Sequence, residues 1–264
     1  VVKIDIDGIE YRSGGETMRL RVGAGVVWDD LVADTVAKGY WGLENLSAIP
    51  GTVGATPIQN VGAYGVEVSD LIHSVRCVHK KTLEEKVFSN TDCNFGYRDS
   101  YFKSLPGRDW IVTEVCFTLS TVKQPTLSYA DLAHLDQQSD LTPQLIRDEV
   151  INIRSQKFPD WSTVGTAGSF FKNPVISAEQ YAVLKKDWPD VPGYQTKEEM
   201  YKVSLGWILD KALHLKGFCQ NNVCLYQEQA LVLVNHGADS DTVSAFYTQI
   251  QTIVKEKIHI QIEP

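Results

Sequence analysis

The sequence predicts an α+β protein built from two consecutive parts. Short β-prone runs alternate with Gly-rich turns over roughly the first 125 residues, whereas after Leu141 the apolar residues recur with helical spacing. We therefore predict a first domain over residues 1–141 and a second over residues 142–264. A strand–helix–strand pattern near the C-terminus makes the second part a compact α+β unit.

The first part is expected to be mainly strands, with one helix. Residues 2–6 alternate as a strand, Asp7-Gly8 is typical of a hairpin turn, and residues 111–119 alternate as a late strand. Residues 28–38 carry an apolar stripe with acidic residues in the first turn, where the helix dipole favours negative charge, so a helix is predicted there.

The second part is expected to contain three helices. Thr142-Pro143 is a typical helix start, and that helix should end at Lys157. Ser177, with Gln180 three residues on, has the pattern of a capping box. Residues 243–254 follow the i, i+3, i+4 rule and should join a strand at 231–235 to a terminal strand at 258–262.

Composition excludes several classes of protein. A chain of 264 residues with 43% hydrophobic residues can bury a sizeable core, and no apolar run approaches the ~20 residues of a membrane span. With no leader pattern either, we expect a cytoplasmic protein. A formal charge of -8 argues against nucleic-acid or membrane-surface partners. The five cysteines lack a CxxC pair, so we expect reduced thiols and no metal site.

Both termini are expected to be cuts through a larger fold. The chain opens at Val1 without Met and directly in a strand-like run, and it closes at Pro264 in another such run.

Residues 46–65 are the best candidate for a ligand-binding segment. Four glycines and two prolines in this run would let backbone N–H groups approach a phosphate or a ring closely. A surface loop whose glycines only serve turns is the alternative. The run has neither the Gly-Lys-Ser/Thr of a Walker loop nor the glycine spacing of a Rossmann fingerprint.

Several ordered motifs resemble those of the UDP-N-acetylenolpyruvoylglucosamine reductase (MurB) family, and the resemblance runs over essentially the whole chain. The matching blocks are residues 49–54, 57–65, 95–100, 168–174, 207–210, 215–217 and 229–235. The segment around Tyr129 is similar to the subclass that carries a tyrosine loop. The resemblance implies a VAO/PCMH-type FAD-binding domain followed by a smaller α+β substrate-binding domain.

The resemblance also implies an activity. The family reduces UDP-N-acetylglucosamine enolpyruvate to UDP-N-acetylmuramate in peptidoglycan precursor synthesis, with FAD and NADPH as cofactors. By position in the motifs, Arg98 would stabilise the developing enolate and Ser169 would donate a proton to it. A surface ion pair for Arg98 and a strand-end serine for Ser169 are the structural alternatives.

The binding residues follow from the same motifs. FAD would be bound by Ile49, Pro50, Gly51, Thr52, Gly54, Ala55, Thr56, Gln59, Asn60, Gly62, Ala63 and Tyr64. The substrate would be bound by Tyr129, Lys157, Asn173, Tyr194, Lys216 and Gln229, with Tyr194 on a mobile loop. We expect only small-molecule partners and a monomer.

Two parts of the family pattern are not found in this sequence. No Gly-Gly-Gly-Ser-Asn-like turn for the FAD pyrophosphate precedes Val1, and the family's catalytic glutamate would follow Pro264 directly, so Glu263 is its neighbour. Two alternatives therefore stay open: another FAD-dependent oxidoreductase of the same architecture, such as a sugar or alcohol oxidase, or an impaired sugar-nucleotide-binding fragment.

Overall fold

The computed structural model describes residues 3–196 and 198–264. The chain forms two compact units that divide between Ile153 and Arg154, and both are α+β, as predicted. None of the helices among these residues combines the length and apolarity needed to cross a membrane. Nor do the described side chains include three His, Cys, Asp or Glu grouped to hold a metal ion.

The α-helices and strands of the first unit are, in chain order, β1 (Ile9–Ser13), β2 (Thr17–Gly23), α1 (Trp28–Ala37), β3 (Gly62–Ala63), β4 (Val66–Glu67), β5 (Ile72–His79), β6 (Glu85–Ser89), β7 (Trp110–Ser120) and α2 (Pro143–Lys157), whose last turn belongs to the second unit. The main antiparallel sheet has the strand order β1-β2-β7-β5-β6, and β3 pairs with β4.

Helix α1 packs on this sheet by its predicted apolar stripe. Trp28, Leu31 and Val32 are fully buried, and the Trp28 ring lies 6.0 Å from the ring of Phe117 on β7. Phe117 in turn pairs with Leu20 of β2. The N-terminal end of α1 is thereby fixed against the core, where it can hold the segment that follows.

The predicted strand at residues 2–6 and the hairpin at Asp7-Gly8 are wrong. Val2 lies outside the described residues, and residues 3–8 form no strand. Instead the carbonyl groups of Ile6 and Gly8 accept the N–H groups of Gly25 and Gly23, both at 2.9 Å. A Cβ on Gly23 would lie 2.2 Å from the Ile6 carbonyl oxygen, so only glycine permits this close crossing.

Helix α2 shows why the units divide later than the predicted boundary after Leu141. It begins at Pro143 and ends at Lys157 as predicted, with the Thr142 hydroxyl accepting the Leu145 N–H. Its buried residues Ile146, Val150 and Ile153 belong to a core cluster that also contains Leu132 and Tyr64. The change to helical spacing after Leu141 therefore marks the start of α2, and most of α2 packs with the first unit.

The α-helices and strands of the second unit are, in chain order, β8 (Gly165–Ser169), β9 (Val175–Ile176), α3 (Ala178–Asp187), β10 (Gly193–Gln195), β11 (Tyr201–Val203), α4 (Leu205–Trp207), β12 (Cys219–Gln220), β13 (Val223–Leu225), β14 (Val232–Asn235) and α5 (Ser240–Ile258). Among the described residues, these strands form two small antiparallel sheets, in the orders β12-β13-β14-β8 and β10-β11-β9.

The predicted helices of this unit are confirmed. The Ser177 hydroxyl accepts the Gln180 N–H at the start of α3, and the Gln180 side chain accepts the Ser177 N–H in return. Helix α5 buries Phe246, Ile250 and Val254 in the core.

The predicted terminal strand at 258–262 is wrong. Helix α5 continues to Ile258, His259 then takes a left-handed conformation with φ 60°, and residues 259–264 form no ladder. Ile260 and Ile262 are nevertheless buried, and the Glu263 carbonyl accepts the Lys172 N–H at 2.9 Å. The alternating apolar residues therefore indicated that one face of this segment is buried. Such a segment usually also pairs with a neighbouring strand, but among the described residues this one does not.

The expectation that all cysteines are reduced is also wrong. Cys219 and Cys224 form a disulfide, because β12 and β13 place them directly opposite each other. Asn221 and Asn222 make the turn between these strands with left-handed φ angles of 49° and 65°. Cys77, Cys93 and Cys116 are free and buried, as expected.

Candidate active site

The glycine-rich loop, residues 46–65, is held by the N-terminal end of α1. The Trp28 indole N–H donates to the Leu46 carbonyl at 2.9 Å, and the Trp28 backbone N–H donates to the Gly51 carbonyl at 3.0 Å. The Ala48 N–H donates to the Asp29 carboxylate at 2.6 Å. These bonds fix the entry of the loop, so that residues after Ala48 start from a defined position.

The accessible part of this loop suits an acceptor-rich ligand. Gly51 is exposed with φ 124°, and a Cβ there would meet open space. Among the described residues, the backbone N–H groups of Gly51 and Thr52 have no acceptor. Such N–H groups bind carbonyl or phosphate oxygens, which are the oxygens that FAD carries. The predicted FAD-binding residues that are exposed or half-buried are Ile49, Pro50, Gly51, Thr52, Gly54, Ala55, Gln59, Gly62 and Ala63.

Three of the predicted FAD-binding residues are buried and build the loop. The Thr56 hydroxyl donates to the Val53 carbonyl, and Tyr64 lies in the core. Asn60 is 1% exposed, and its side-chain amide donates to Glu67 at 2.9 Å and to the Gly96 carbonyl at 3.0 Å. The side chains of Thr56 and Asn60 are thus hydrogen-bonded within the first unit, and these bonds stabilise the conformation of the loop.

Arg98 lies against the glycine-rich loop. Its guanidinium donates to the carbonyl groups of Gly62 and Asn60, and it lies 5.2 Å from the centre of the Tyr97 ring. The backbone of Arg98 has φ 54°, in a turn closed by reciprocal hydrogen bonds between Gly96 and Asp99. This geometry differs from the surface pair with Asp99 that was the structural alternative, since the guanidinium reaches the loop.

Two buried polar residues near this loop escaped the sequence analysis. Asn45 donates from its side-chain amide to the carbonyl groups of Tyr64 and Thr126, both at 2.8 Å, while its side-chain oxygen has no partner among the described residues. Glu44 accepts the Gly42 N–H, and burial raises the pKa of its carboxyl to about 7. The position of Glu44 and Asn45 between Leu43 and Leu46 was the signal that could have found them.

In the second unit, Ser169 is the last residue of β8 and is exposed. It pairs with Val232 of β14 beside a β-bulge, and the next residue, Phe170, donates its N–H to the Leu231 carbonyl at 2.9 Å. Within the part of the chain that the structure describes, the Ser169 hydroxyl makes no hydrogen bond. The backbone of Ser169 is therefore held by strand pairing, and its hydroxyl is available to a ligand.

Two predicted substrate residues lie on segments joined to that of Ser169. The Asn173 side-chain oxygen accepts the Leu205 N–H at 3.0 Å, at the start of α4. The Gln229 side-chain oxygen accepts the Leu231 N–H at 3.4 Å, and a Cβ on Gly206 would lie 3.1 Å from it. The start of α4 therefore brings Asn173 and Gln229 together.

The other predicted substrate residues lie on different segments. Lys157 ends α2, and the exposed Lys216 lies 3.9 Å from the Asp210 carboxylate. Tyr194 is 62% exposed on β10, which is a strand in place of the mobile loop we expected. Tyr129 is in the first unit, where its ring packs edge-to-face on that of Tyr64 at 5.2 Å.

Two family models match the chain. One, described as an FAD binding domain, matches residues 2–82 and so includes the glycine-rich loop. The other, described as the C-terminal domain of UDP-N-acetylenolpyruvoylglucosamine reductase, matches residues 159–264 and so includes Ser169.

Similar proteins carry the same description. The chain is 43% identical to UDP-N-acetylenolpyruvoylglucosamine reductase of Porphyromonas gingivalis over 98% of its own length and 78% of the relative's. It is 42% identical to the enzyme of Chromobacterium violaceum over 100% and 79%. The crystal structure of UDP-N-acetylenolpyruvylglucosamine reductase (MurB) from Thermus caldophilus is similar with a TM-score of 0.61 and 25% identity, over 88% of this chain and 68% of that one.

Proposed function

The chain belongs to the UDP-N-acetylenolpyruvoylglucosamine reductase family, and from that premise we propose how its residues carry the reaction. It is an NADPH-dependent flavoprotein oxidoreductase that reduces UDP-N-acetylglucosamine enolpyruvate to UDP-N-acetylmuramate in peptidoglycan precursor synthesis. When bound, FAD supplies the hydride that saturates the enolpyruvyl double bond, drawn from NADPH.

Arg98 is proposed to stabilise negative charge on the substrate. Hydride addition to the terminal vinyl carbon leaves an electron pair at the carbon that bears the carboxylate. A guanidinium is always charged and can bind a carboxylate through two parallel hydrogen bonds. The contact of Arg98 with the Gly62 and Asn60 carbonyls is the observation that supports this role, because the cation then lies against the glycine-rich loop.

Ser169 is proposed to donate the proton that completes the reduction. The proton moves from the hydroxyl to the carbon bearing the carboxylate, and the serine regains it from solvent. A hydroxyl is a weak acid, but a carbanion is basic enough to take its proton. The exposed hydroxyl at the end of β8 supports this role.

The substrate is proposed to be held by the remaining predicted residues. Lys157 and Lys216 supply positive charge for the diphosphate, and Asn173 and Gln229 supply amide groups for the sugar nucleotide. Tyr129 and Tyr194 supply exposed aromatic rings. We further propose that the protein acts as a cytoplasmic monomer without nucleic-acid or membrane partners.

Stopped-flow absorbance tests both catalytic roles. The wild-type chain loaded with FAD should be yellow and should be bleached by NADPH, and the substrate should restore the colour in a single turnover. Ser169→Ala should bleach normally but recover colour about 10²- to 10⁴-fold more slowly, the usual worth of a general acid. Arg98→Ala should slow recovery as well. Ser139→Ala, at an exposed loop serine, is the matched control and should behave as wild type.

Two results would contradict these assignments. Recovery at the wild-type rate in Ser169→Ala would remove the serine from the reaction. A wild-type chain that stays colourless with FAD, yet binds UDP-N-acetylmuramate, would favour the sugar-nucleotide-binding fragment.

A further inference from the structure

Asp29 connects helix α1 to the glycine-rich loop. It lies in the first turn of the helix, and one of its carboxylate oxygens accepts the Ala48 N–H at 2.6 Å. Ala48 has φ 56°, a left-handed conformation that a residue with a Cβ seldom adopts without a compensating contact. The hydrogen bond to Asp29 supplies such a contact.

Arg147 holds Asp29 in place from a distant part of the sequence. Its two terminal nitrogens donate to the two carboxylate oxygens of Asp29 at 2.6 and 2.8 Å. Arg147 is 9% exposed, on the first-unit part of α2. The guanidinium is buried and the carboxylate is partly buried, and a two-pronged pair has one strongly preferred geometry, so it fixes the carboxylate more tightly than a fully exposed pair would.

The held residue immediately precedes the accessible part of the loop. Ile49 and Pro50 follow Ala48, and then come the Gly51 and Thr52 N–H groups that have no acceptor among the described residues. The direction of the Gly51 N–H depends on the backbone at Ala48, because each dihedral angle turns the chain that follows it. The Thr52 N–H shares a peptide plane with the Gly51 carbonyl, which the Trp28 N–H already holds.

We propose that Asp29 and Arg147 are positioning residues for the flavin: the pair fixes Ala48, and Ala48 orients the Gly51 N–H toward FAD. This inference rests on the proposed function, in which the glycine-rich loop binds that cofactor. It assigns the pair a role beyond joining α1 to α2, since the same carboxylate oxygen that meets Arg147 at 2.6 Å also accepts the loop N–H.

Two measurements on the full chain test it. The first is amide hydrogen exchange at Ala48 without flavin, and the second is the dissociation constant of FAD from flavin fluorescence. Arg147→Met should speed exchange at Ala48 and weaken FAD binding by on the order of tenfold, because without the guanidinium the partly buried carboxylate is free to move. Arg147→Lys should fall between the two, since ammonium keeps the charge but loses the two-pronged geometry.

The control removes a similar pair elsewhere in the first unit. Arg21 also donates to both oxygens of a carboxylate, that of Glu114, at 3.1 and 2.7 Å. That pair lies on strands β2 and β7, and its other ion-pair partners among the described residues are Glu10 and Arg76, outside the loop. Arg21→Met should leave both exchange at Ala48 and FAD affinity at wild-type values.

The outcomes separate this inference from the proposed function. If wild type binds FAD and Arg147→Met binds it equally well, the positioning role is overturned and the cofactor site stands. If wild type binds no FAD, the proposed function is overturned as well. Asp29→Asn keeps the size of the side chain and serves where Arg147→Met does not fold; wild-type exchange at Ala48 in that variant would also overturn the inference.

Discussion

The carboxyl group of Glu44 is the clearest case in which one residue's surroundings change its chemistry. The residue is 1% exposed, just ahead of the glycine-rich loop, and its carboxylate accepts the Gly42 N–H. Burial without a cation disfavours the charged form and raises the pKa to about 7. Near neutral pH the group therefore carries a proton part of the time.

This shift makes stability depend on pH. The pKa of Glu44 is about 7 in the folded chain against the ordinary 4.5, so between these values the folded chain binds a proton that the unfolded chain has released. The free energy of unfolding should therefore fall as pH rises from 4.5 to 7, by about 3 kcal/mol in total. Urea unfolding across this range should show the slope in wild type and a flatter profile in Glu44→Gln.

A matched exposed carboxyl controls for general charge effects. Glu16 is exposed in the turn between β1 and β2, so Glu16→Gln should keep the wild-type slope. If Glu44→Gln has the same pH profile as wild type, the carboxyl does not titrate in this range.

At the scale of elements, local signals in the sequence predicted the helices well. The Ser177 and Gln180 capping pair and the Thr142-Pro143 start both lie within one turn of the helices that they begin. Elements that depend on a partner strand were predicted less well. Residues 258–262 alternate as a strand would, yet they have no strand partner and pack only their isoleucines.

The β12–β13 hairpin adds a covalent link that can be measured. Closing the short loop between Cys219 and Cys224 should stabilise the folded chain by ~2 kcal/mol, because it removes freedom from the unfolded chain. Urea unfolding of wild type should lose this increment on addition of dithiothreitol. Cys219→Ser/Cys224→Ser should be insensitive to the reductant.

Thiol titration gives an independent check of the hairpin. The unfolded, unreduced wild type should titrate three thiols, those of Cys77, Cys93 and Cys116. A count equal to all five cysteines would contradict the disulfide.

At the scale of the whole molecule, the predicted site residues are distributed over two units, each with its own hydrophobic core. The glycine-rich loop and Arg98 are in the first unit, and Ser169, Asn173 and Gln229 are in the second. We propose that the first unit supplies the glycine-rich loop that binds FAD, and that the second unit supplies most of the residues that bind the substrate. Tyr129 is the exception, because it lies in the first unit.

Hydrogen exchange can map this division. With FAD at about 100 times its dissociation constant, the Gly51 and Thr52 amides should exchange about 100-fold more slowly, because exchange then requires release of the ligand. UDP-N-acetylmuramate should instead slow exchange around Asn173 and Gln229. The turn at residues 80–84 should be unaffected by either. An FAD effect that leaves the glycine-rich loop unchanged would refute the assignment.

The sequence by itself determined the features that depend on neighbours along the chain. Helix starts, the apolar stripe of α1 and the ordered motifs around Arg98 and Ser169 are visible there, because caps, helical periodicity and motifs are short-range patterns. The α+β class and the family followed from them.

Only the tertiary structure decided which distant residues meet. Asp29 and Arg147 are 118 positions apart, and nothing near either one in sequence indicates the other. The burial of Asn60 and Tyr64, the raised pKa of Glu44 and the pairing of Cys219 with Cys224 have the same origin. Burial and side-chain pairing depend on how the chain packs in space, and that packing is set by many long-range contacts at once.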